Sequence, residues 1–138
     1  MKFSRKIDLK LPKVLVLAAV LAVSGCGDDP LGPSGQLQVE KTVDIFLINA
    51  MTLEDANETL SYQWDNTGTQ ATVLVTDGIS SGSAILTIED ASGTVLHQDD
   101  IADDNDTDTA VGVSGSWRIQ IDIQNVTGSF SVSVMKKS

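Results

Sequence analysis

"WRIQIDIQNVTGSFSVSVMK" (Trp117–Lys136) alternates twice. In its first half Trp117, Ile119, Ile121 and Ile123 are separated by Arg118, Gln120 and Asp122, and Gln124 follows. In its second half Phe130, Val132 and Val134 are set against Ser129, Ser131 and Ser133. A period of two puts one residue type on each face of a strand, so both halves read as strands with one wet face. "NVTG" (Asn125–Gly128) between them predicts a hairpin.

The same period extends upstream. "SAILTIED" places Ala84, Leu86 and Ile88 on one face, and "ASG" (Ala91–Gly93) turns the chain into "TVLHQDD". "TQATVLVTD" gives Ala71, Val73 and Val75, and "SYQW" gives Tyr62 and Trp64. "KTVDIFLINA" (Lys41–Ala50) is a more continuous apolar run, suited to a strand covered on both faces. "MTLEDANETL" (Met51–Leu60) holds a few helix formers without a sustained helical period and is read as a loop. Seven or eight short strands with Gly, Asn and Asp turns predict an all-β fold: a single antiparallel β-sandwich or jelly-roll-like domain.

The amino terminus reads differently. "MKFSRKIDLKLPK" carries five Lys/Arg and one acid, Asp8, and the apolar "VLVLAAVLAV" (Val14–Val23) follows. This is the basic, apolar and small-residue order of a secretory signal. The apolar run is about half the roughly 20 residues that a membrane-spanning helix needs. "VSGC" (Val23–Cys26) then resembles the lipobox of bacterial lipoproteins: an aliphatic residue, a small residue, Gly or Ala, and Cys. The resemblance implies a diacylglycerol on the Cys26 sulfur and cleavage between Gly25 and Cys26. Two or more acyl chains, at about 0.8 kcal/mol per buried methylene, anchor a protein stably to a bilayer. The chain is thus expected to divide into a signal peptide (1–25), a lipidated flexible tether (26–35) and a β-sandwich domain (36–138). Gly27, rather than Asp, follows Cys26, which by the same resemblance favours the outer membrane.

Cys26 is the sole cysteine, so the expected mature chain has no disulfide and no cysteine-rich metal site. After residue 25 four Lys/Arg stand against eighteen Asp/Glu, a net charge of −14. Nucleic acid and anionic headgroups require basic patches, so neither is an expected partner of the domain.

Across Ser61–Met135 a second resemblance appears. Leu86, Ile88, Asp90 and Gly93 match an "x-L-x-I-x-D-xx-G" hairpin; Gly115, Trp117, Ile119 and Ile121 match "G-x-W-x-I-x-I"; Phe130, Val132 and Val134 match a closing "F-x-V-x-V". This order is similar to the bacterial pre-peptidase C-terminal type of β-sandwich, which implies a domain that binds or positions. Such domains accompany secreted hydrolases, and this sequence departs from the pattern in lacking a catalytic domain.

Chemistry-bearing residues are few. His97, the sole histidine, with Asp99 or Asp100 and a serine would make a triad, but no G-x-S-x-G elbow marks a nucleophile. Glu89 and Asp90 are adjacent and point to opposite faces of a strand, and Asp90 before "ASG" is a turn residue. Glu54 with Glu58 is a further carboxylate pair without a marked partner. In "HQDDIADDNDTDTA" (His97–Ala110), Asp104, Asp106 and Asp108 have the D-x-D-x-D spacing of a calcium loop. Thr109 stands where that loop needs Gly, and Gly115 where it needs Glu, so a solvated acidic loop is preferred and no cofactor is expected. Tyr62, Trp64 and Trp117 could form an aromatic platform for sugars, yet their phase with apolar neighbours favours the core.

These observations predict a non-enzymatic, lipid-anchored envelope protein whose β-sandwich binds an envelope protein or glycan. The alternatives are a small secreted hydrolase or accessory domain using His97, and a purely structural spacer.

Overall fold

The computed structural model describes residues 31–32, 34–103 and 106–138. Seven strands form one antiparallel sheet. They are β1 (Gln36–Thr42), β2 (Ile45–Asn66), β3 (Ala71–Asp77), β4 (Ser81–Glu89), β5 (Val95–Asp100), β6 (Thr107–Asp108) and β7 (Gly115–Lys136). Among the described residues one 3-10 turn, Ile101–Asp103, follows β5. The all-β reading is what the chain adopts, in a sandwich-like arrangement.

Two strands of 22 residues organise it. β7 pairs with β2 along nearly its whole length, from Asn66↔Gly115 to Ile45↔Met135. On its other side β7 pairs first with β4 (Glu89↔Arg118 to Ser81↔Thr127) and then with β3 (Asp77↔Phe130 to Ala71↔Lys136). β1 extends the sheet beyond the first half of β2, β5 extends it beyond β4, and β6 beyond β3.

The predicted hairpin at Asn125–Gly128 is therefore a bend inside one strand. The inward residues of β7 run Trp117, Ile119, Ile121, Ile123, then Val126 and Phe130, then Val132 and Val134. Between Ile123 and Phe130 the spacing leaves strict alternation, because β-bulges insert residues and turn the strand. β2 bends opposite, with register shifts between Ala50, Leu53, Ala56 and Glu58. Thr52, Asp55 and Asn125 have left-handed backbone at φ 55°, 45° and 52°. Met51–Leu60, expected as a loop, is thus the bulged middle of β2: ladder bonds override its helix-forming composition. Lys41–Ala50 is also corrected. It is broken at Val43–Asp44, and the part in β2 buries Phe46, Ile48 and Ala50 while Ile45 and Asn49 are exposed.

At the bend the ribbon folds over, so its two halves face each other across one core. Gly128 is required there. Its φ is 128°, and a Cβ would stand 2.2 Å from the Gly78 carbonyl oxygen. The halves are joined by rings. Phe46 of one half lies 5.5 Å from Tyr62 of the other. Within one half, the cross-strand partners Trp64 and Trp117 meet edge to face at 5.8 Å and 90°. Both indoles are buried, and both N–H groups are satisfied: Trp64 Nε1 donates to the Thr42 carbonyl (3.1 Å), Trp117 Nε1 to the Val113 carbonyl (2.8 Å).

Candidate functional site

The residues with chemical potential gather on the β4–β5 half and at the end of the sandwich away from the bend. His97 pairs with Ile88 near the start of β5 and is half-buried. It lines a small recess with Val75, Leu86, Asp99, Asp100 and Ile101. Burial holds its imidazole below the ordinary histidine value, with the Asp99 charge pulling the other way. Among the described residues no serine hydroxyl is hydrogen-bonded to His97, so the recess offers an imidazole and carboxylates without a positioned nucleophile.

The acidic segment is divided among separate partners. Asp104 lies outside the described residues. Asp106 Oδ1 accepts the Val75 N–H at 3.0 Å, fixing the segment against β3. Asp108 accepts the Thr72 hydroxyl at 2.9 Å and pairs with Lys137, and these partners hold its carboxyl below the ordinary range. Asp106 and Asp108 thus each face donors of their own. Among the described residues no group of three or more His, Cys, Asp and Glu side chains converges as a metal would need. Asp103 behaves in the opposite sense: its hydrogen bond with Asp99, and then the Asp99 charge, raise it above the ordinary carboxylate value.

Of the other candidates, Trp64 and Trp117 are core residues and present no platform; Tyr62 is half-buried against Phe46. Glu89 engages Arg118 at 3.1 Å across the sheet. Glu54 stands at the bend, where its backbone N–H donates to the Leu31 carbonyl at 3.3 Å.

Asp90 does more than its turn position suggests. Its Oδ1 accepts the Ser92 N–H (3.0 Å), the Ser92 hydroxyl (2.7 Å) and the Thr94 N–H (2.9 Å); its Oδ2 accepts the Val113 N–H at 2.9 Å. These donors, the Ser92 hydroxyl foremost, hold the carboxyl below its ordinary value. The buried side chain thus fastens the segment before β7 onto the β4–β5 turn. The Ala110 N–H adds a bond to the Leu96 carbonyl at 3.0 Å. On these neighbouring stretches Val95, Val111 and Val113 are half or more exposed. The D-x-S-x-T order of 90–94 announced the turn, but nothing local to Asp90 announced Val113.

A scan against protein-family models finds no match, and a search of curated proteins finds no similar sequence. The likeness of Ser61–Met135 to the pre-peptidase type of sandwich accordingly rests on the residues quoted for it. Cys26 and the whole of residues 1–30 lie outside the described residues.

Proposed function

We propose that the protein is a bacterial lipoprotein of the cell envelope, with the outer membrane favoured, whose non-catalytic β domain is a binding module for an envelope protein or glycan. The observation that carries this reading is "VSGC" ending a basic-then-apolar leader, ten residues before β1 begins at Gln36. The separation of Asp106 and Asp108 onto individual donors, and a His97 recess without a bound hydroxyl, support a binding role over a hydrolytic one. The strongly negative domain supports a partner other than nucleic acid or an anionic headgroup. Acyl chains on Cys26 supply the membrane attachment, and the fold supplies a rigid body held beside the bilayer.

Cys26→Ser tests the anchor. The variant is expected to accumulate as unprocessed precursor or to leave the membrane fraction. Normal cleavage at residue 26 with unchanged membrane fractionation overturns the reading.

A further inference from the structure

The chain between the last strand-free residues and the lipid is shorter than the sequence suggests. Leu31 packs against the core, and its carbonyl accepts the Glu54 N–H at the bend of β2. Gly32 is buried at the same place with φ 92°, where a Cβ would stand 2.8 Å from the Glu54 carbonyl oxygen. The Gly35 N–H returns to the Gly32 carbonyl at 3.2 Å. Leu31, Gly32 and Gly35 are thus part of the domain, seated on its bulged end.

We infer that this seating sets which end of the sandwich faces the bilayer: the bulged end points down and the Asp90 end points away. The inference rests on the lipid-anchor reading of Cys26. From Cys26 to Leu31 the chain reaches at most about 18 Å at full extension, whereas freeing everything to Gln36 allows about 35 Å. The strands from the bend to the opposite end span roughly 25 Å at about 3.3 Å per residue. A reach of 18 Å is less than that height, so the bulged end stays nearest the membrane. A reach of 35 Å exceeds it, and the domain could turn over. Glu54, Asp55, Glu58 and Asp77 lie at the bulged end, and residues 51–58, 77–83 and 124–129 contain no Lys or Arg. That end stands off from headgroups; the acyl chains alone hold it there. The three exposed valines and the Asp90 corner are then the surface offered to the periplasm or medium.

The full-length lipidated protein, carrying Ser80→Cys at the bulged end or Val111→Cys at the other, is labelled with a donor fluorophore. It is then reconstituted into phosphatidylcholine vesicles containing an acceptor lipid. Energy transfer is expected to be about threefold or more stronger from position 80, given a height difference of roughly 25 Å. Adding Gly32→Val, which drives the segment off Glu54, is expected to bring the two sites close to equality. Equal transfer in the parent protein, stronger transfer from 111, or a difference that Gly32→Val leaves untouched overturns the orientation. If the protein fails to float with the vesicles, or floats equally after Cys26→Ser, the anchor reading falls and takes the orientation with it.

Discussion

At the bulged end the chain turns on its backbone; at the other end it turns on carboxylates. The bend uses left-handed residues in β2 and β7, and Gly128 where no side chain fits. The opposite end uses Asp90, as above, and Asp44, whose Oδ1 accepts the Thr67 N–H (2.8 Å) and hydroxyl (3.0 Å) while Oδ2 stands 3.6 Å from Lys136 Nζ. Asp44 itself has φ 71°, so its side-chain bonds hold a conformation that the backbone alone disfavours. The Thr67 N–H, opposed by partial burial, holds its carboxyl below the ordinary value. The difference teaches that left-handed backbone and a glycine without room for a side chain shape the bend, where Asp77 adds one bond from the Ile79 N–H (3.0 Å), whereas two carboxylates with several donors each hold the other end.

The largest effect is expected from Gly128→Val. Its Cβ meets the Gly78 carbonyl and its φ suits no branched residue, so loss of about 4 kcal/mol or more, or failure to fold, is expected. Circular dichroism and denaturant unfolding read it. The deficit should be the same at pH 7 and pH 3, and a strongly pH-dependent one would break the contrast. Trp117→Ala, in the core common to both ends, sets the scale at about 3–5 kcal/mol. A loss under about 0.5 kcal/mol would place Trp117 on a surface and reopen the aromatic platform.

Asp90→Asn is expected to cost less, and to cost it only while Asp90 is ionised. The folded carboxyl lies below its unfolded value near 3.8. Its contribution is therefore fully present above that value and fades as pH falls through the lower folded one. Melting temperatures of variant and parent should differ at pH 7 and draw together in strong acid. Smallest is Asp103→Asn, with the reverse sign. A carboxyl raised in the folded state favours folding in acid and loses that contribution as pH rises through the raised value. The variant should melt slightly higher than the parent at pH 7 and show no gain at pH 3.

The alternation of 71–75, 84–88, 117–123 and 130–134 made the strands and their inner faces legible, because a period of two is a local property. The bend was not legible. Asn125 and Gly128 carry the positive φ values that a hairpin turn also asks of Asn and Gly, so the chemistry of "NVTG" fits either. What separates them is pairing: residues 117–123 and 130–135 both lie against β2 rather than against each other, and no short window contains that fact. Asp90 was legible as a turn residue for the same local reason. Its bond to Val113, 23 residues on, was not. The D-x-D-x-D spacing around Asp106 and Asp108 was plain, but the donors that occupy them, Val75, Thr72 and Lys137, come from β3 and the chain's last residues.

The ladder between β2 and β7 also fixes an order of events. Ile45 pairs with Met135 and Phe46 with Val134, so the first long strand meets its partner only when the final strand is present. Contacts this far apart in sequence close late and slowly, since the loop between them must be ordered before they form. A chain growing from its amino terminus therefore lacks its central ladder until residues 115–136 are present, and β7 then closes both halves of the sandwich at once.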